Sequence, residues 1–272
     1  FRDDALYFRD LSNVERIEVI KGPAAVLYGR GSSGGLINRV TKKPDRDVLS
    51  VTLSAGSFDS YRGEFDLGML DPRSHVGFRL TGAAEDNGSY RDQQFLKRYA
   101  IAPSFLFGAG LDTTILLQAD YLTDRRVMDL GIPALNGRPV DVPRSTYYGA
   151  ANAREADFVE SEVFSQRVAI THRFSDALSL RNGFNHYNYQ LDRQSTNPAL
   201  VNPVAQTVRL DHSWFNRRED GWSNQTELTQ KLALAGTDHT ILYGFEIAQQ
   251  QKFALRSAAR PVAVTSIFDP VL

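Results

Sequence analysis

"SYRGEFDLGML", residues 60–70, alternates without a break: Tyr61, Gly63, Phe65, Leu67 and Met69 share one parity, and Arg62, Glu64, Asp66 and Gly68 the other. Successive side chains of a β-strand point to opposite faces, so this stretch makes a strand with one apolar and one charged face. Helical spacing would mix both kinds on one side. The scheme recurs in "VLSVTLSA" (48–55), in "VGFRLTGAAE" (76–85) and in "HTILYGFEI" (239–247).

Working outward, the pattern predicts about nine strands, near 48–56, 60–70, 75–85, 97–107, 112–124, 162–173, 178–191, 218–233 and 239–250. Tight turns join some of them: "LDPRS" (70–74), "FGAGLD" (107–112), "FSDA" (174–177) and "AGTD" (235–238). Longer polar loops join the others, at 85–97, at 125–161 and around 192–217, with "GSFDS" (56–60) a short exception on the loop side. Alternating short and long connections are the pattern of a transmembrane β-barrel. Parity makes 218–233 a descending strand, so "TVRLDHSWFNRRE" (207–219) extends it above the membrane and is not a separate span. A soluble antiparallel sandwich alternates too. Against it stand aromatics near the strand ends (Tyr61, Tyr99, Phe105, Phe107, Tyr121, Phe164, Phe174, Tyr187, Trp222 and Tyr243), which suit interfacial girdles. The predicted strands are also longer than the usual five or six residues or so. The fold class is therefore an all-β membrane protein, a partial antiparallel transmembrane β-barrel.

The whole-chain figures fit. A net charge of −1 gives no pull toward nucleic acid. The 272 residues include no cysteine, which removes disulfides and cysteine-based metal sites. His75, His172, His186, His212 and His239 show no metal-ligand spacing. No apolar run is long enough for a transmembrane helix. No signal-peptide pattern opens the chain, which begins at "FRDDALYF" without methionine and reads as a fragment.

"LYGRGSSGGLINRVTKKP" (27–44) holds two glycine patterns. Gly29-x-Gly31-x-x-Gly34 fits a dinucleotide loop, and Gly31-x-Ser33-x-Gly35 fits a nucleophile elbow. Both require a strand before the glycines and a helix after. Here "VERIEVIKG" reads as a strand, "GPAAVLYG" as a short helix with Pro23 in its first turn, and "LINRVTKK" as a strand after the glycines. The order is wrong for either chemistry, and the glycines instead suit a tight helix-to-strand reversal that needs positive φ.

Residues 14–44, "VERIEVIKGPAAVLYGRGSSGGLINRVTKKP", resemble the C-terminal end of the plug domain of TonB-dependent outer-membrane receptors, in the siderophore-receptor branch. "GIPALNGRPVDVPRSTYYG" (131–149) resembles an extracellular loop of those receptors, and "HTILYGFEIAQQ" (239–250) a mid-barrel strand. The resemblance implies residues 1–44 as the C-terminal part of a lumenal plug and 45–272 as the N-terminal part of a barrel of about 22 strands. About thirteen strands, the TonB box and most of the plug would then lie outside this chain. It implies an outer-membrane, non-enzymatic transporter of ferric siderophores in a Gram-negative bacterium. Its partners would be outer-membrane lipid and a TonB-type energy-transducing protein acting through an N-terminal segment. Iron would enter only as part of the ligand, with no resident cofactor and no metal site. Receptors for haem, cobalamin or a saccharide remain alternatives, as do an outer-membrane barrel enzyme and a porin.

By the same resemblance Tyr28 occupies a plug-apex position that can touch the ligand, with Arg30 beside it. In the 125–161 loop Arg125, Arg126, Arg138, Arg144, Tyr147, Tyr148 and Asn152 combine cations, aromatics and an amide. Arginine and tyrosine together suit an anionic aromatic chelate. Glu15, Arg16, Glu18, Arg39, Lys42 and Lys43 on the first segment face a matching set on the predicted charged faces: Arg62, Glu64, Asp66, Arg79, Glu85, Asp120, Arg181, Glu227 and Glu246. Pairs between the two sets would seat a plug.

Overall fold

The computed structural model describes residues 9–22 and 34–270. β1 (Val14–Lys21) and β2 (Gly35–Thr41) form a two-stranded antiparallel hairpin, in register from Lys21 opposite Gly35 to Arg16 opposite Val40, with a shift before Val14 opposite Thr41. A nine-stranded antiparallel sheet follows: β3 (Val48–Gly56), β4 (Ser60–Asp71), β5 (Val76–Asn87), β6 (Leu96–Phe107), β7 (Thr113–Arg126), β10 (Phe158–Ser175), β11 (Leu178–Asn202), β12 (Thr207–Leu234) and β13 (Thr237–Ser266). Each strand pairs with its neighbours in chain order, an uninterrupted meander. Between β7 and β10 lie a tiny hairpin, β8 (Ala134–Leu135) with β9 (Arg138–Pro139), and the short helix α1 (Ala153–Ala156). No helix among the described residues is long and apolar enough to cross a membrane.

All nine expected strands are present. The differences lie at their loop ends. β11 and β12 continue pairing to Asn202 opposite Thr207, so the loop expected around 192–217 is a tall hairpin closed by residues 203–206. Residues 207–219 do extend the descending strand, as parity required. The β12–β13 turn shows why such ends are tight: Ala235 and Gly236 adopt φ of 51° and 79°, the paired positive angles of a two-residue hairpin. Gly35 meets a sharper demand. Its φ is 129°, and a Cβ there would lie 2.3 Å from the Ile20 carbonyl oxygen. Residues 23–29 of the expected helix over 22–29, which include Gly29, lie outside the described residues, as do Gly31 and Ser33.

Burial across the sheet is inverted relative to a water-soluble protein. Leu49 and Leu53 are each 82% exposed, whereas Arg79 and Thr81 are 2% exposed. Tyr61, Tyr99, Phe105, Phe107, Tyr121, Phe164, Phe174 and Tyr243 are all open on the apolar face. Tyr187 departs from the girdle expected of it. It packs on the opposite, polar face beside the buried cluster of Leu122, Val159, Val163, Tyr189 and Leu191. Strand parity fixes this, because Tyr187 lies opposite Ser165, which faces Asp120.

If the apolar face meets hydrocarbon, a charge there is costly. Phe105 is exposed, and its ring packs at 5.0 Å from that of Phe78. Phe105→Arg is expected to destabilise the sheet in lipid vesicles by ~2–4 kcal/mol. An unfolding midpoint unchanged by this substitution would place the face in water.

Candidate functional site

The β1–β2 hairpin lies on the charged face of the sheet, and side chains of both parts meet in three clusters. In the first, Arg79 donates to both carboxylate oxygens of Asp66 at 2.8 Å each and to the Lys43 carbonyl at 2.9 Å. Lys42 Nζ reaches Asp66 at 2.8 Å, Glu15 approaches Arg79 at 3.9 Å, and Arg46 closes on Glu15 at 2.6 Å. In the second, Arg62 binds Asp10 and Glu85 at 2.9 Å each and also pairs with Glu64. Arg98 stands 3.8 Å from Asp10 and 3.5 Å from Glu85. In the third, Asn13 donates to Asp120, which also accepts from Ser165, while Thr41 and the Lys42 carbonyl bond Gln118.

Alternation placed the strand charges on one face, and chain order put the hairpin residues opposite them. Two expected cross-pairs form, Lys42–Asp66 and Glu15–Arg79. Arg16 and Glu18 pair with each other on β1, and Lys43 contributes its carbonyl. Arg181 and Glu227 pair across β11 and β12 at 3.0 Å. Asp10, Arg46 and Arg98 went unread in the sequence. Asp10 precedes the first recognisable strand, so neither periodicity nor motif marked it.

Burial tends to raise the Asp10 carboxyl, but hydrogen bonds from Arg62 and Ser12 together hold it below its ordinary value. Arg46 does the same for Glu15. An interface built from such pairs can be re-wetted without exposing apolar surface. It holds a segment in place yet allows it to leave.

Above the sheet, residues 88–95 and 127–157 are latched to each other. Arg91 pairs with Asp129 at 2.6 Å and donates to the Thr146 carbonyl at 2.6 Å. Asp92 N–H donates to the Ser145 carbonyl, and Arg154 donates to that of Gln94. Tyr148 sits in a buried cluster with Val140, Val208, Leu210 and Ile267, and its hydroxyl donates to the Ile267 carbonyl at 2.5 Å. Tyr147 packs with Val127 and Ala153, and its hydroxyl reaches the Met128 carbonyl.

Of the ligand-contact candidates, Tyr28 and Arg30 lie outside the described residues. Arg138, on β9, and Arg144 are exposed on the loop surface, and neither has an ion pair among the described residues. Tyr147 and Tyr148 are buried. Burial raises both phenols above the ordinary tyrosine range, Asp157 and Asp129 adding to it at Tyr147. Arg125 pairs with Glu160, and Arg126 with Asp124. The loop thus offers two open guanidiniums on a scaffold propped by two tyrosines.

Residues 1–36 match the TonB-dependent receptor plug domain family. Over 239 residues the chain is 31% identical to the metal-pseudopaline receptor CntO of Pseudomonas aeruginosa, a match covering 87% of this chain and 33% of that receptor. It is 25% identical to the catecholate siderophore receptor Fiu of Escherichia coli O157:H7 over 92% of this chain and 35% of Fiu. The chain therefore spans about a third of the length of the curated relatives it matches. Its fold superimposes on the crystal structure of the siderophore receptor PiuA from Acinetobacter baumannii with a TM-score of 0.89, at 24% identity, over 99% of this chain and 42% of that one. The inverted sheet, the ion-paired hairpin on its polar face and these matches agree: the chain is a stretch of a TonB-dependent outer-membrane receptor, an antiparallel transmembrane barrel segment with part of its plug.

Proposed function

We propose that the receptor takes up ferric siderophores across the outer membrane by TonB-dependent active transport, with residues 1–44 as the end of the plug and 45–272 as the first part of the barrel. The observation that carries this reading is the seat itself, a hairpin held on the sheet's polar face by ion pairs and amide bonds that water can replace. Ligand arrives on the outer loops and on the plug apex near Tyr28 and Arg30. A TonB-type partner pulls an N-terminal segment by pairing a strand with it, the seat opens, and the cargo passes. No covalent bond is made or broken. Iron is cargo, wrapped in its chelator, and the protein needs no cofactor. The similarity to a metal-pseudopaline receptor favours one second reading, a receptor for another metal-loaded chelate.

The test is binding and uptake of a panel of iron-loaded siderophores by cells carrying variants of the full-length receptor. Deleting 131–149 is expected to reduce uptake while the barrel still folds, since loops tolerate change that strands do not. Arg144→Glu is expected to hurt an anionic chelate more than Arg144→Gln, because repulsion adds to lost attraction. Tyr28→Ala is expected to weaken binding by about 1 kcal/mol. If haem or cobalamin binds and no siderophore-type metal complex does, the substrate class is wrong.

A further inference from the structure

The apolar outward face of β4, β5 and β6 is not evenly filled. Each of these strands has both of its neighbours in the sheet. Gly63 lies opposite Ala84, and Ala84 opposite Tyr99, so two very small residues stand together between the exposed Tyr61 and Tyr99. The result is a groove of about 450 Å³, walled by Leu53, Tyr61 and Tyr99 and floored by Gly63 and Ala84. Below it the Phe65 ring lies over Gly82, where a Cβ would stand 2.6 Å from that ring. The row above is charged: Tyr61 lies opposite Asp86, Asp86 opposite Lys97, Lys97 opposite Arg125 and Arg125 opposite Glu160. Lys97 reaches Asp86 at 3.3 Å, and Arg125 reaches Glu160 at 2.9 Å.

Each cation thus has its carboxylate on the far side, and the two cations are neighbours on adjacent strands, about 4.8 Å apart. The four side chains are between 43% and 59% exposed. Ion pairs this open hold little, so an incoming anion can draw both cations from their carboxylates. Asp86, Lys97 and Arg125 stand at the loop ends of their strands, at the level of the outer headgroups. An apolar slot topped by two adjacent cations matches a lipid with a chain below and an anion above. An ammonium beside a guanidinium fork suits phosphate, which accepts charge-assisted bonds from both. We propose that this face binds a phosphorylated glycolipid of the outer leaflet, with one acyl chain in the groove between Tyr61 and Tyr99 and a phosphate on Lys97 and Arg125. The site goes beyond the uptake reading and does not depend on it, because it lies on the face opposite the hairpin.

The test uses the full-length receptor with Lys97→Gln, Arg125→Gln, Ala84→Leu and Ala119→Leu. Ala84→Leu fills the floor of the groove and keeps both cations. Ala119 shares the strand parity of Tyr121 on β7, so Ala119→Leu adds the same bulk to the outward face outside the groove. The probes are bisphosphorylated lipid A, the same lipid stripped of its phosphates, and phosphatidylglycerol, each offered in phosphatidylcholine nanodiscs. Lipid that stays bound on release from the disc is counted by native mass spectrometry. A heat-dependent electrophoretic shift confirms that each barrel is folded. The unaltered receptor and Ala119→Leu are expected to retain lipid A about tenfold or more better than either other probe, and the two glutamine variants and Ala84→Leu each to lose about tenfold of that retention. Stripped lipid A retained as well as the intact form would overturn the phosphate contact, and phosphatidylglycerol retained equally would overturn the glycolipid. Ala84→Leu behaving like the unaltered receptor, or Ala119→Leu losing as much as Ala84→Leu, would overturn the groove.

Discussion

Asp66→Ala is expected to release the β1–β2 hairpin from the sheet while leaving the nine strands paired. Asp66 is the common anion of the first cluster, taking two bonds from Arg79 and one from Lys42. The Arg79 side chain is 3% exposed and that of Lys42 22%, so the substitution takes the shared carboxylate from two poorly hydrated cations and leaves Arg79 with the Lys43 carbonyl and a distant Glu15. Removing one partner from a buried charge pair costs ~3–5 kcal/mol, far more than losing a surface pair. The loss falls on the seat, because the β4–β5 backbone ladder does not depend on this side chain. Hydrogen exchange is the direct measurement. Protection of the amides in Val14–Lys21 and Gly35–Thr41 should drop by about 10²- to 10⁴-fold, with the β4 and β5 amides unchanged. Asp66→Asn keeps an acceptor and should do less harm. Hairpin amides as protected in Asp66→Ala as before would mean that the charges decorate the interface without holding it.

How far the sequence foretold this arrangement depends on whether a feature is local. Strand parity is local: Tyr61 and Arg62 on β4, or Phe78 and Arg79 on β5, declare their faces to their immediate neighbours, and all nine strands could be found. Parity also put residues 207–219 on the descending strand, although it could not say that pairing would climb to Asn202 and Thr207. The fate of Tyr147 and Tyr148 was not legible. Tyr148 is buried by Val208, Leu210 and Ile267, which the fold brings to the loop from far along the chain, and Tyr147 by Val127 and Ala153 at the two ends of its own loop. An Arg-and-Tyr-rich loop looks the same in sequence whether its tyrosines face a ligand or prop the loop from beneath.

Arg62→Gln is expected to loosen the seat at neutral pH and to reverse the sign of its response to acid. Arg62 joins Asp10 of the plug segment to Glu64 and Glu85 of the barrel, and its loss leaves three carboxylates without their shared cation, Arg98 standing 3.8 Å from Asp10. The cost at pH 7 should be ~3–5 kcal/mol, as for other buried pairs broken on one side. In the unaltered protein the Asp10 carboxyl is held below its ordinary value. Its contribution is therefore complete above the unfolded carboxyl pKa, about 3.9, and is lost as the pH falls from there through the lower folded value. Without Arg62, burial is the largest influence on Asp10 and is opposed by the Ser12 hydrogen bonds and the more distant Arg98, so its carboxyl is expected to titrate above the unfolded value. A group raised in this way destabilises the folded state at high pH and is relieved as the solution acidifies. Between about pH 7 and 4 the variant's hairpin should thus grow more protected from exchange, after correction for intrinsic rates, while the unaltered hairpin stays flat and weakens only below about 4. Parallel pH profiles for the two proteins would show that Arg62 does not govern Asp10, and would move the seat's main ionic contact to the Asp66 cluster.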